Sequence, residues 1–235
     1  MSVNWPVAAQ GALWLALTFA AYLGARRLQQ VLKGSPLANP VLIAAAPLIA
    51  LLVASDTSYA EYSHGGWLLL WLLGPATVGL AVPLYLNFAE VRSALLPMIA
   101  ALIVGSLTAV ISAVAIGYEL GASIETIRSL APKSVTTPIA MGIAREIGGI
   151  PALTAAFVII TGGVGAICGS ALFNLVGVTD RRARGFAMGV AAHGMGTARA
   201  FQVSLKAGTF SGVAMTINGI VTALLLPMLW LLFAQ

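Results

Sequence analysis

The chain has 235 residues, 60% of them hydrophobic, with only 12 Lys+Arg and 7 Asp+Glu, so 8% are charged. A soluble globular domain carries about 25% charged residues, and that deficit excludes one here. The net charge of +5 is scattered over short loops and forms no basic face for a phosphate backbone, which excludes a nucleic-acid partner.

A membrane-crossing helix needs about 20 mostly apolar residues. The opening stretch MSVNWPVAAQ has no basic n-region, so a cleaved signal is not expected and residues 5–24 form the first span, closed before Arg26 and Arg27. Residues 37–54 form the second, opened by Pro36. Residues 66–87 form the third, interrupted by Gly74-Pro75 and Pro83, and 94–118 the fourth, the most regular. Residues 134–149 and 185–203 are shorter, glycine-rich, and carry charge or histidine in the middle. They read as broken helices or re-entrant hairpins, whose irregular backbone must sit inside protein or line a cavity. Between and after them, 151–176 and 210–233 complete the spans. The expected fold is an all-α polytopic membrane protein with about six full transmembrane helices plus two broken or re-entrant segments. It forms one integral membrane domain, with N-terminal helices over 1–133, a first broken-helix repeat over 134–180 and a second over 181–235.

The Lys/Arg bias sets orientation. Arg26, Arg27 and Lys33, and later Arg181, Arg182 and Arg184, place their loops in the cytoplasm, whereas the 55–65 loop holds Asp56 and Glu61 and no Lys or Arg. Ala140-Met141-Gly142-Ile143-Ala144 recurs as Ala187-Met188-Gly189-Val190-Ala191, 47 positions later, and the same offset pairs Glu146 with His193 and Gly149 with Gly196. Inverted repeats with paired broken helices mark secondary transporters, with the site near the midplane where the breaks meet.

Arg145 and Glu146 sit within the first short stretch. Ionisable groups at membrane depth pair, line water or do work, so they are either an ion pair between helices or a substrate and proton-coupling site. His193, beside the helix-breaking Gly194 and Gly196, is either a satisfied core histidine or a proton relay. Thr197 adds a hydroxyl and Arg199 a cation six residues on. Ser134-Val135-Thr136-Thr137-Pro138 resembles a helix entry whose N–H groups can hold a carboxylate, or a plain cap. The substrate-binding candidates are Thr136, Thr137, Arg145, Gly194, Gly196, Thr197 and Arg199, and the proton-coupling candidates are Glu146 and His193. Cys168, the single cysteine, is expected to be a buried small thiol, which excludes a disulfide or cysteine metal site. Gly162–Ser170 reads as small-residue helix contact, not as a nucleotide loop. No nucleophile–base set appears, so neither an enzyme nor a cofactor or metal site is expected.

Three stretches carry a resemblance: Lys133-Ser134-Val135-Thr136-Thr137-Pro138-Ile139-Ala140, Glu146-Ile147-Gly148-Gly149-Ile150-Pro151-Ala152-Leu153-Thr154-Ala155 and His193-Gly194-Met195-Gly196-Thr197-Ala198. With Asn39-Pro40 and Leu73-Gly74-Pro75-Ala76-Thr77, they resemble the LrgB/CidB family of multi-pass proteins of the bacterial inner membrane. The resemblance implies two stories. One is an antiholin-like modulator of murein hydrolase activity and autolysis, acting with a small holin-like partner of the LrgA/CidA type. The other follows the plastid glycolate/glycerate translocator, whose C-terminal half is similar to the family, and bacterial relatives linked to pyruvate. A pore needs no paired broken helices bearing Arg145, Glu146, His193 and Arg199, whereas a carrier does. The sequence therefore points first to a secondary transporter of small monocarboxylates (glycolate, glycerate, pyruvate or lactate), proton-coupled and homo-oligomeric, with the autolysis regulator as its alternative.

Overall fold

The structure, a computed structural model, describes residues 5–79 and 81–233. Residues 1–4, the start of the stretch considered as a leader, lie outside the described residues. Among the described residues all regular elements are helices and there is no strand. It divides into two compact units, residues 1–81 and 82–235.

The first unit holds α1 (Trp5–Val31), α2 (Pro40–Ala54) and α3 (Tyr59–Gly79). Asn39 caps α2 by accepting from the Val41 and Leu42 amides, and Pro40 at the first helical position suits the fixed φ of that site. Helices α1 and α3 touch backbone to backbone, because a side chain at Gly65 would occupy the position of the Gly11 carbonyl. Beside that contact, Trp14 meets Tyr62 edge-on at 5.8 Å, and the Thr18 and Tyr62 hydroxyls are 3.0 Å apart.

From Ala81 onward the elements are α4 (Ala81–Leu86), α5 (Phe88–Ser93), α6 (Leu95–Glu119), α7 (Ile124–Leu130), α8 (Thr137–Glu146), α9 (Pro151–Leu175), α10 (Arg181–Val203) and α11 (Leu205–Phe233). Three helices are long and apolar enough to cross a membrane among the described residues: Leu95–Glu119, Pro151–Leu175 and Leu205–Leu231. They carry the expected fourth, fifth and sixth spans. Of the expected third span, 66–87, residues 66–79 lie in α3 and Ala81–Leu86 form α4, and residue 80 lies outside the described residues. The second is short, 15 residues as α2, about 22 Å at the α-helical rise.

The two short stretches fold back on themselves. Helix α10 is interrupted at Ala192 (φ −124°, ψ 15°) and His193 (φ 40°, ψ −131°). Past that point the chain reverses, because a Cβ on Gly196 would lie 2.6 Å from the Met188 carbonyl oxygen. In an unbroken helix, residues eight apart are separated by about 12 Å. After Ser204 in extended conformation (φ −166°), α11 starts alongside the first half of α10. The Cα faces of Gly185 and Gly189 press on the Ala207 and Ser211 carbonyls.

The other fold-back leaves α7 at Leu130, runs inward through the buried Ala131, Pro132, Ser134 and Val135, and returns as α8. Gly148 (φ 77°) ends α8, with the Gly149 amide donating to the Ala144 carbonyl at 2.7 Å. That left-handed position suits glycine, which lacks a Cβ. Ser129 closes the loop: its hydroxyl accepts from the Ile150 amide (2.7 Å) and donates to the Glu125 carbonyl (2.7 Å). Ser129→Ala is expected to lower stability by about 1 kcal/mol, the net worth of a hydrogen bond, in mixed-micelle unfolding titrations.

Helix α6 serves as a ruler for both. Met98 and Leu102 belong to a core with Phe186, Val190, Phe210 and Ala214 of α10 and α11. Val110 and Val114, further along, pack on a second core of Ala131, Val135, Ala140, Ile143, Ile147, Val158 and Leu226. The fold-backs therefore enter from opposite ends of the unit and meet halfway along its long helices.

Candidate functional site

Polar groups concentrate where the two tips meet. Asn218, at mid-length in α11, is 1% exposed. Its Nδ2 donates to the Val190 carbonyl (3.2 Å) in α10 and to the Ser134 carbonyl (3.4 Å) at the first tip. Its Oδ1 accepts from the Ser106 hydroxyl (2.5 Å) in the middle of α6. One side chain thus joins both fold-backs and two long helices. Buried amides need such partners, since an unsatisfied polar group in an apolar interior costs on the order of 1–3 kcal/mol.

His193 stands at the second tip, 5% exposed, with Nε2 2.9 Å from the Val158 carbonyl of α9. A carbonyl only accepts, so Nε2 carries the hydrogen. Helix α9 admits the ring through a bare face: a Cβ on Gly162 would lie 2.7 Å from it. The φ of +40° at His193 is a conformation that L-residues adopt at a cost of order 1–3 kcal/mol. The hydrogen bonds around it hold it there. Thr197 donates to the His193 carbonyl (2.8 Å) and therefore accepts from the Ser211 hydroxyl (2.9 Å).

Lys133 and Ser134 occupy the first tip. The Lys133 ammonium donates to the Ser134 hydroxyl at 3.4 Å, is half-buried, and lies within electrostatic reach of His193. Thr136 takes the N-cap position of α8 and Pro138 follows at its start, but the Thr136 side chain makes no capping bond. Its hydroxyl is not consumed by the helix, and neither Thr136 nor Thr137 is fully buried.

The remaining residues singled out by sequence lie elsewhere. Arg145 and Glu146 end α8 with exposed side chains, one helix length away from the tip. They do not converge with His193, because they stand at the far end of the ten-residue α8, just before the turn at Gly148. Gly194 has room around it, with only the Met215 sulfur within 4 Å of an added Cβ, whereas Gly196 has none. Arg199, half-buried, donates to Gln202 (3.0 Å) on the return half of α10. Cys168 is exposed, contrary to the expected buried thiol. Gly162, Gly165 and Gly169 turn the small-residue face of α9 toward α10, which leaves Ile160, Val164 and Cys168 on the outer face. Among the described residues no group of His, Cys, Asp and Glu could hold a metal.

At the outer end of the second fold-back, Asp180 caps α10 by accepting from the Arg182 amide (2.7 Å). The Arg182 side chain bonded to it holds its carboxyl down to about 2. Sequence reasoning missed Ser106, Lys133 and Asn218 as site residues. The signal available for Lys133 was a cation at the head of a helix entry. For Asn218 it was an amide deep in an apolar span.

Comparison with known proteins agrees over nearly the full length. Residues 18–232 match the model of the LrgB-like family. The Bacillus subtilis protein YwbG is 39% identical over 93% of this chain and 97% of its own. The holin-like proteins CidB of Staphylococcus epidermidis and Staphylococcus aureus are each 32% identical over 95% of this chain and 97% of theirs. No solved structure matches significantly. With its apolar helices and this likeness, the chain is a multi-pass membrane protein that belongs to the LrgB-like family.

Proposed function

We propose that the protein is an antiholin-like regulator of murein hydrolase activity and autolysis in the bacterial inner membrane, acting with a small holin-like partner. The observation that carries this reading is the near full-length likeness to proteins named holin-like. Exposed Leu96, Ile99, Ile103 and Leu107 on α6, and Leu224, Leu225 and Met228 on α11, offer apolar faces to lipid, to a partner helix or to a second copy. Deleting the gene is expected to change the rate of detergent-induced lysis, with restoration by the wild-type gene. An unchanged lysis rate would remove the reading.

A second reading is favoured by the junction itself. Two fold-backs entering from opposite ends, each with a non-helical tip, fit a carrier of small monocarboxylates built as an inverted repeat, whose site lies at the bilayer midplane. In it Thr136, Thr137, Thr197 and the turn of Gly194 and Gly196 contact the anion and His193 moves a proton. Arg145, Glu146 and Arg199 serve the approach to the site. Proteoliposomes loaded with unlabelled pyruvate or glycolate separate the readings. A carrier exchanges labelled substrate saturably and retains a neutral dye, a pore leaks both, and a regulator that needs its partner does neither.

A further inference from the structure

Residues 82–235 contain five acidic side chains, Glu90, Glu119, Glu125, Glu146 and Asp180. Every one stands at or beside the end of a helix: Glu90 in short α5, Glu119 closing α6, Glu125 in the first turn of α7, Glu146 closing α8 and Asp180 capping α10. Glu90 is paired with Lys206 and Asp180 with Arg182, and no carboxylate pairs with Lys133 among the described residues. Lys133 is nevertheless set inside the unit. Its neighbour Ser134 is bonded to Asn218, which is bonded in turn to Ser106 at the middle of α6. The ammonium therefore stands near mid-height of helices apolar enough to cross a membrane, half-buried, with one long bond to a hydroxyl. A lone cation at that depth is unfavourable, and an anion beside it offsets the cost.

We propose that Lys133 is the charged anchor of a binding site for a small carboxylate at the junction of the two fold-backs. The Ser134 hydroxyl is bonded to it and the Thr136 hydroxyl, three residues on, makes no capping bond, so neutral donors on the same tip can add direction to a charge that Lys133 supplies as a point. The choice of a small carboxylate among anions is taken over from the carrier reading. This inference rests on the carrier reading for its midplane placement, and binding is measurable without transport.

The test uses the full-length protein in lipid nanodiscs, with pyruvate and glycolate titrated by calorimetry and chloride as competitor. Wild type is expected to bind both, Lys133→Arg to retain binding, and Lys133→Gln to weaken it about tenfold or more, the scale of one charge-assisted contact. Glycolamide, the neutral isostere, is expected not to bind wild type, a result that needs no variant to fold. Wild type that ignores both carboxylates, binds glycolamide equally, or loses pyruvate to equimolar chloride would overturn the site. So would Lys133→Gln that binds as wild type does. Carboxylate bound through Lys133 without counterflow would keep the site and remove the carrier. Counterflow with Lys133→Gln binding unchanged would do the reverse.

Discussion

Gly185→Leu is expected to prevent the second fold-back from seating on α11, giving protein that aggregates or elutes as a broadened, unstable species. The Cα face of Gly185 rests on the backbone carbonyl of Ala207, and Gly189, one turn on, rests on Ser211 with the Ala214 methyl 2.7 Å from where a Cβ would lie. The obstacle at both positions is backbone, which cannot rotate away as a side-chain end can. Overpacking in a filled core costs typically 1–3 kcal/mol, and more when main chain must move. Separating the helices also strips cover from Phe186, Val190 and Phe210, which form one core with α6. Gly142→Ala is the contrasting control. It lies within α8 with nothing inside 4 Å of an added Cβ, and alanine there is expected to stabilise by about 0.5–1 kcal/mol through helix propensity. Size-exclusion profiles and thermal melts in detergent measure both.

Asn218→Leu is expected to be the most damaging substitution in α11. It removes the donor shared by Val190 and Ser134 and the acceptor for Ser106. Hydrogen bonds between membrane helices average about 0.6 kcal/mol each, so three bonds imply a loss near 2 kcal/mol, before the buried partners left unsatisfied are counted. Thr216→Ala, two residues away, loses only a bond to the Gly212 carbonyl within the same helix and is expected to be nearly neutral. Because Asn218 holds both tips, its loss should also abolish whatever activity the junction supports, even where expression survives. Equal melting points for Asn218→Leu and Thr216→Ala would contradict this role.

Much of this arrangement is legible in the sequence. The long apolar runs appear as α6, α9 and α11, since length and absence of charge are what a crossing helix requires. The glycines around His193 mark a break, and the break falls at that residue. The offset that pairs Glu146 with His193 pairs the end of α8 with the interruption of α10. Arg145 and Glu146 mislead because charge in mid-stretch reads as charge at depth. The turn at Gly148 brings them instead to the same end as Ser129. Asn218 and Ser106 are invisible to pattern, since each is one polar residue in an apolar run. Their meaning lies in a contact across 112 positions of chain. Cys168 is predicted buried from its apolar neighbours. Which side of α9 is bare enough for α10 decides otherwise.

Two segments enter from opposite ends, reverse, and leave where they came in. Thiol labelling tests this most directly, in a Cys168→Ser background with an impermeant reagent applied to intact cells and to inverted vesicles. Arg182→Cys and Lys206→Cys bracket the second fold-back, and Glu125→Cys and Ile150→Cys the first. The two members of each pair are expected to label from the same side, and the two pairs from opposite sides. Members of a pair labelling from opposite sides would make that segment a full crossing and rule out the fold-back.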